Sequence, residues 1–145
     1  MVVFFINTLT IGGAEKLVID LCRAHRGSCI VTLFNASNEY SHSDVSRYTI
    51  FSSEIHLALL KLIRAQTIHF NLFPVMWMSV FFIFSKKNLI FTEHNTHNRR
   101  RNFKILRIFE YFVYKRFNSV IAISEGCRQA LLKWQPTICV QVIPN

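Results

Sequence analysis

Residues 2–34 read VVFFINTLTIGGAEKLVIDLCRAHRGSCIVTLF, and this stretch decides the fold. Residues 2–6 form an apolar, β-prone run, which predicts a strand. Residues 14–25 carry Leu17, Val18, Leu21 and Cys22 at the spacing of one helix face, and residues 29–34 form a second β-prone run. The chain therefore opens with a predicted strand, helix and strand.

The same alternation continues to the end of the chain. Further strands are predicted near residues 48–51, 67–70, 88–92, 119–123 and 138–143, with helices near 54–65, 74–84, 102–117 and 125–134. Repeated strand-helix-strand units of this length give parallel strands covered by helices on both faces. The sequence predicts one Rossmann-like α/β domain over residues 1–145, a three-layer αβα sandwich with a mostly parallel sheet and ligands at the carboxyl ends of the strands.

Composition places the chain among soluble, cytoplasmic proteins. The four cysteines, Cys22, Cys29, Cys127 and Cys139, form no CxxC pair, so we expect buried, reduced thiols and neither a metal site nor a cofactor. The N-terminus lacks the basic region of a signal peptide. The apolar run at residues 72–84 is too short to span a bilayer and predicts a buried helix, while residues 35–47 predict a polar surface loop.

Positive charge is concentrated in one part of the chain. The net charge is +9, from 17 basic and 8 acidic residues, and the segment from Lys86 to Arg116 holds nine of the basic residues against two acids. That segment alone contributes +7. Such one-signed charge favours an anionic partner, namely phosphates, a nucleic acid or a lipid surface.

Gly12 and Gly13 stand between the first strand and the first helix. Glycines at this point let a ligand approach the backbone, and the N–H groups at a helix start favour a phosphate. The spacing matches neither GxGxxG nor the P-loop pattern, so a plain strand-to-helix turn, with Glu15 complementing the helix dipole, stays open.

A dense polar cluster follows the predicted strand at residues 88–92. His94 and Glu93 stand at its carboxyl end, where a parallel sheet presents residues to a ligand, so both are candidates for bonding a sugar or exchanging a proton with it. A solvated loop is the structural alternative. His94 and His97 lack the further ligands that a zinc site needs.

The predicted helix at residues 102–117 has a basic face. At 100° per residue, Arg100, Lys104, Arg107 and Lys115 fall within one sector, while Ile105, Phe109, Phe112 and Val113 occupy the opposite side. An ordinary solvated face explains this arrangement, and so does a surface that docks on anionic lipid.

Five short segments together resemble the family 4 glycosyltransferases, which are retaining GT-B enzymes that transfer sugars from nucleotide-sugar donors. In order, they are Gly12 to Glu15 (GGAE), Ile68-His69, Thr92-Glu93-His94, the VIAIS segment ending at Ser124, and the terminal VIPN. The resemblance covers nearly the whole chain and implies the N-terminal, acceptor-side domain, with the C-terminal donor domain absent.

The resemblance also implies roles for individual residues. Gly12 and Gly13 would lie against the donor diphosphate, His94 would contact the transferred sugar as the catalytic residue, and Glu15 and Glu93 would contact sugar or acceptor. The acceptor would be a glycan or lipid-linked molecule of cell-surface polysaccharide or lipopolysaccharide synthesis, reached from the inner face of the membrane. Members often carry a second histidine two residues after the first, whereas Asn71 follows His69 here, so His69 receives no catalytic role.

Three other functions compete with this interpretation. The first is a non-catalytic membrane-surface or interaction module built on the basic helix. A nucleotide-sugar epimerase is disfavoured by the missing GxGxxG, and nucleic-acid binding is disfavoured because no recognised motif accompanies the charge.

Overall fold

The computed structural model describes residues 1–34, 49–50 and 54–144. Its strands are β1 (Val2–Ile6), β2 (Cys29–Thr32), β3 (Thr49–Ile50), β4 (Thr67–Asn71), β5 (Asn88–Glu93), β6 (Ser119–Ala122) and β7 (Gln141–Val142). Its α-helices are α1 (Gly13–Ala24), α2 (Ile55–Arg64), α3 (Lys104–Arg116) and α4 (Glu125–Trp134). Two 3-10 helices lie at Val75–Phe82 and Arg99–Asn102. The predicted loop at residues 35–47 lies outside the described residues.

All strand pairs in the described part of the chain are parallel, and the sheet order is β3-β2-β1-β4-β5-β6-β7. The order reverses between β1 and β4, since β1 pairs with β2 on one side and with β4 on the other. In a doubly wound sheet this reversal opens a crevice at the carboxyl ends of the strands. The predicted Rossmann-like α/β fold is confirmed.

Helices cover both faces of the sheet. Alternate residues of β1 point to opposite sides, so Phe4 packs with Val18 of α1, whereas Phe5 belongs to the larger core with α2, α3 and α4. Right-handed crossovers explain this division. The crossover from β1 to β2 runs toward the β3 edge and places α1 on one face. The later crossovers run toward the β7 edge and place α2, α3 and α4 on the other face.

The start of α4 agrees with its sequence. The hydroxyl oxygen of Ser124 accepts a hydrogen bond from the Cys127 backbone N–H at 3.2 Å, as an N-cap serine should. Because β4, β5 and β6 pair in parallel, the end of β6 lies at the same edge of the sheet as the ends of β4 and β5.

The apolar run at residues 72–84 departs from its prediction. It forms a 3-10 helix at Val75–Phe82 instead of an α-helix, and only Val75, Met76 and Ser79 in that helix are buried. Phe81 is 77% exposed and Phe84 is fully exposed. The buried residues lie in the first five positions of this 3-10 helix, and the exposed apolar side chains follow toward residue 84. In the described part of the chain, no helix is both long and apolar enough to cross a membrane.

The cysteine prediction holds for three of the four thiols. Cys22, Cys29 and Cys127 are buried and free, whereas Cys139 is free and exposed, which corrects the prediction for that residue. Burial raises the pKa of the Cys22 and Cys29 thiols. Cys139 lies just before β7 at the sheet edge, where no helix covers it.

Candidate functional site

A crevice of about 400 Å³ opens at the carboxyl edge of the sheet, beside the point where the strand order reverses. It lies between the start of α1 and the segments that follow β4, β5 and β6. Its lining residues are Gly13, Ala14, Glu15, Leu72, His94, Asn95 and Ile123. Gly13, Glu15 and His94 were predicted from the sequence, and the structure brings these three together.

The start of α1 forms one wall of the crevice. Gly12 is the N-cap in extended backbone, and as a glycine it has no side chain of its own to cap the helix. Gly13 is exposed, with open space where a β-carbon would stand, whereas a β-carbon on Gly12 would overlap the Glu15 carboxylate. The first turn of α1 therefore lines the crevice, and the start of a helix is a position that favours a phosphate.

His94 also lines the crevice and lies next to Asn71. The imidazole Nε2 lies 3.5 Å from Asn71 Oδ1, and the Asn71 amide donates to the His69 carbonyl at 3.0 Å. That second bond orients the amide so that its oxygen, not its nitrogen, meets His94. Burial lowers the pKa of His94 to about 4, so the ring is neutral at pH 7. It can donate or accept hydrogen bonds but contributes no positive charge there.

Asn71 was not predicted to have a role. It is fully buried at the end of β4 and is the direct neighbour of the candidate catalytic histidine. Its signal in the sequence was its position, a polar residue at the carboxyl end of a predicted central strand. Leu72, the next residue, lines the crevice with a left-handed backbone, φ 71°, which is uncommon for a non-glycine residue.

His69 lies behind the crevice. Its Nε2 is 2.7 Å from the Thr92 hydroxyl oxygen, and its ring packs 5.5 Å from that of Phe4. Burial, with a smaller contribution from repulsion by His94, lowers the pKa of His69 to about 4. Through these contacts His69 joins β4 to β1 and β5.

Glu93 does not reach the crevice, which corrects its predicted contact with a sugar. Its side chain is fully buried, and Oε2 accepts hydrogen bonds from Arg100 and Arg101 at 3.1 Å each. Its other oxygen accepts from the Asn95 backbone N–H at 3.2 Å. A carboxylate with these partners must break several charged hydrogen bonds before it could bond a sugar.

The prediction that Arg100 lies on the basic surface is also wrong. Arg100 belongs to a buried ion cluster. It is 4% exposed, because it lies in the 3-10 helix before α3 and points inward. Its Nε lies 3.1 Å from Glu110 Oε1, and it donates to the Tyr114 hydroxyl at 3.0 Å. Glu110 in turn accepts from the Trp134 indole at 2.7 Å. We refer to Glu93, Arg100, Arg101 and Glu110 as the ion cluster.

Desolvation acts on the groups of this cluster. Burial raises the pKa of the Glu110 carboxyl, and the adjacent Arg100 guanidinium opposes that rise. Burial also raises the pKa of the Tyr114 hydroxyl, which stays protonated. The cluster combines two arginines with two carboxyl groups, so opposite charges lie next to one another in the interior.

The remaining basic residues of the prediction, Lys104, Arg107 and Lys115, are exposed on α3. The apolar side of the helix differs from expectation, because only Val113 of the four predicted apolar residues is buried. Glu110 and Tyr114 occupy the rest of the buried face. The exposed apolar side chains of this helix are Ile105, Ile108, Phe109 and Phe112.

A groove of about 610 Å³ runs along the same helix, between α3 and the segment after α4. Its walls include Arg107, Ile108, Tyr111, Phe112 and Pro136. We call Lys104, Arg107, Lys115 and the four exposed apolar residues the α3 surface. Among the described residues, no three histidine, cysteine or carboxylate side chains converge as a metal site requires.

Comparison with known proteins gives a family and a shared fold for this chain. The sequence pattern of Glycosyltransferase Family 4 matches residues 11–145. HepE of Anabaena, solved in complex with UDP and glucose, shares the fold with a TM-score of 0.79 at 14% identity, over 99% of this chain and 44% of the HepE chain. HepE in complex with UDP-glucose gives a TM-score of 0.78 at 14% identity, over 100% and 44% of the two chains. No curated protein sequence matches.

At this identity the likeness to HepE concerns the fold, and this chain spans less than half of the HepE chain. The Rossmann-like fold expected for one half of a GT-B enzyme is thereby confirmed. The family match extends over all but the first ten residues, from Ile11 to the last residue. The chain belongs to Glycosyltransferase Family 4.

Proposed function

We propose that this chain provides the acceptor-side half of a glycosyltransferase that moves a sugar from a nucleotide-sugar donor to a glycan or lipid-linked acceptor of cell-surface polysaccharide. The observation that carries the proposal is the crevice itself, in which the start of α1 and His94 line one space of about 400 Å³. Family membership and the UDP-glucose complex of HepE support a nucleotide-sugar as the donor.

The start of α1 and His94 suit the two charges that develop during sugar transfer. Negative charge grows on the leaving diphosphate, and backbone N–H groups at Gly12 and Gly13 would stabilise it where it develops. Positive character grows on the transferred sugar, where a cationic histidine would be unfavourable. Because the pKa of His94 is lowered to about 4, its ring would bond a sugar hydroxyl without adding charge.

A second domain would complete the donor site. This chain spans 44% of HepE, so full activity is proposed only for a protein in which a donor-binding domain faces the crevice. In that arrangement the present chain binds the acceptor and contacts the diphosphate and the transferred sugar. The donor reacts as a substrate, and the proposal requires neither a cofactor nor a metal ion.

Nuclear magnetic resonance of the 145-residue chain tests the proposal. UDP-glucose is titrated into labelled protein, and we expect amide shifts confined to Gly13, Ala14, Glu15, His94 and Asn95. Glucose without the nucleotide serves as the control, and its addition should leave the amides at the start of α1 unchanged. Shifts scattered away from the crevice, or none at millimolar UDP-glucose, would contradict the proposal.

The α3 surface favours a second function, docking on an anionic membrane. Aliphatic and aromatic side chains beside lysine and arginine are typical of surfaces that lie in a lipid headgroup layer. Ile108 and Phe112 are 66% and 65% exposed, and Arg107, which directly precedes Ile108, lines the same groove. We propose that this surface holds the protein peripherally at the cytoplasmic face of the membrane, near a lipid-linked acceptor.

A further inference from the structure

We propose that Glu93 and Arg100 are positioning residues for His94, whose enclosed ion pair closes the loop that carries His94 and keeps the imidazole at the edge of the crevice. The role of His94 toward a sugar rests on the proposed function. The placement of His94 by the ion cluster is a separate statement about the ligand-free protein, and it can be tested separately.

The loop that carries His94 is fastened at both of its ends. It begins at Glu93, the last residue of β5, and ends at the 3-10 helix that contains Arg100 and Arg101. Both arginines donate to Glu93 Oε2 at 3.1 Å, so the two ends of the loop meet at one carboxylate oxygen. The intervening residues have few other ways to be held, since Asn95, Thr96 and His97 are exposed.

Two further bonds hold the interior of the loop. The Asn95 N–H donates to Glu93 Oε1 at 3.2 Å, which fixes the backbone directly after His94. Arg101 also donates to the Thr96 carbonyl at 3.0 Å. The residues on both sides of His94 are therefore held in part by the Glu93 carboxylate and by an arginine bound to it.

The ion cluster is anchored to the helices behind it. Arg100 contacts Glu110 and Tyr114 of α3, and Glu110 accepts a 2.7 Å hydrogen bond from Trp134 of α4. These contacts are buried, so water does not compete for them. The loop position is thus determined by two packed helices, and not by the loop sequence alone.

Arg100 also connects the loop to the other side of the crevice. Its guanidinium lies over the Phe73 ring, 4.8 Å from the centroid, and the Phe73 carbonyl accepts a 2.6 Å hydrogen bond from Asn7. The segments that follow β1, β4 and β5 therefore share one set of contacts. These are the segments on which Asn7, Leu72 and His94 stand.

A positioning role explains why charged side chains occupy the ion cluster, where apolar side chains could stabilise the fold equally well. Enclosed ion pairs are often no more stabilising than apolar packing of the same volume, because desolvation offsets their attraction. Ion pairs and apolar packing differ in geometry. Hydrogen-bonded charges require one relative orientation, whereas apolar side chains can pack in several. His94 directly follows Glu93, so a single orientation of the Glu93 carboxylate also restricts the position of His94.

The test follows the titration of the His94 ring by nuclear magnetic resonance in the absence of ligand. In the wild type burial keeps the pKa of His94 at about 4. Glu93→Gln keeps the shape of the side chain but weakens the bonds to both arginines. If the loop loosens, His94 becomes more exposed to water and its pKa should rise toward 6.5 by about one unit or more.

Two other variants make the result decisive. Arg101→Met removes the contacts with Glu93 and Thr96 from the rim of the cluster, and it carries the test if Glu93→Gln does not fold. Arg128→Met breaks the exposed 2.8 Å ion pair with Glu125 and is the matched control, expected to leave His94 unchanged. An unaltered His94 titration in folded Glu93→Gln and Arg101→Met proteins would overturn the proposal.

A binding measurement separates this proposal from the proposed function. If UDP-glucose binds the wild type, we expect Glu93→Gln to weaken that binding about tenfold, through His94 and not through a contact of its own. If UDP-glucose does not bind the wild type, the proposed function fails, and the His94 titration still decides the positioning role.

Discussion

His94 and Asn71 meet at the carboxyl ends of two adjacent strands, with the imidazole Nε2 3.5 Å from the amide Oδ1. The parallel pairing of β4 and β5 brings them together, since Asn71 is in register with Thr92, two residues before His94. His94 thus contacts Asn71 of β4 and also lines the crevice. This arrangement underlies the first prediction.

His94→Ala should lower turnover far more than it lowers stability. The wild-type side chain lines the crevice, so its loss removes a contact to the sugar and should lower turnover of the intact glycosyltransferase by about 10²–10³. His97→Ala is the control, because His97 is exposed on the same loop and does not line the crevice. Equal turnover of the two variants would remove His94 from the site.

Gly13→Ala should weaken the binding of UDP-glucose without destabilising the protein. The space for a β-carbon is open, and alanine is favoured over glycine in a helix by about 0.5–1 kcal/mol, so the free energy of unfolding should stay the same or rise. The added methyl group would stand between the backbone and a donor phosphate. Binding of UDP-glucose should weaken as stability increases, measured by titration and urea unfolding. Undiminished binding would leave Gly13 as an ordinary turn residue.

The free energy of unfolding should fall as the pH is lowered from 7 to 5. His69 has a pKa of about 4 in the folded protein and an ordinary value near 6.5 when unfolded, so the unfolded chain takes up the proton first. Stability from a neutral His69 is complete above pH 6.5 and is lost as the pH falls toward 4. The loss by pH 5 is about 2 kcal/mol as an upper value, and His94 adds to it in the same direction.

Urea unfolding at several pH values measures this dependence. His69→Gln should make the slope of stability against pH visibly shallower than in the wild type. His56→Gln is the control, because His56 is exposed on α2 and should leave the slope unchanged. Parallel curves for the wild type and the His69 variant would show that His69 is not enclosed as the structure has it.

Binding to anionic vesicles should depend on both kinds of side chain in the α3 surface. Each basic residue contributes up to about 1 kcal/mol near an anionic bilayer, so Lys104→Glu/Arg107→Glu should release the protein, and so should high salt. Phe112→Ser should weaken binding without changing the charge. Arg23→Glu/Arg26→Glu makes the same charge change at the end of α1, on the opposite face of the sheet, and is expected to bind normally. Co-sedimentation that is the same for all four proteins would contradict the docking surface.

Regular elements were predictable from sequence because their patterns are local. Helix α4 begins and ends at the predicted residues 125 and 134, and β1 matches residues 2–6. The helix period of 3.6 and the strand period of two are properties of short segments. The prediction of a buried helix at residues 72–84 was less accurate. A uniformly apolar segment has no period that distinguishes an α-helix from the 3-10 helix found at residues 75–82.

The site was predictable only in part. Position at the end of a strand identified His94, and glycines before a helix identified the turn at Gly13. The same rule placed Glu93 in the crevice wrongly, because successive residues of a strand point to opposite sides and the rule does not say which side a charge can occupy. Asn71 received no role, since nothing in its own segment shows that His94 will lie beside it.

The sequence by itself determined the order of strands and helices, the start of α1 at a glycine pair and the concentration of positive charge in one segment, because each follows from neighbouring residues. Tertiary structure decided which of those charges meet solvent. Arg100 and Lys104 stand one helical turn apart in sequence, yet one is enclosed between Glu93 and Glu110 and the other is exposed. The reason is physical: a charge enters the interior only where opposite charges from other elements converge on it, and that convergence exists only in the folded chain.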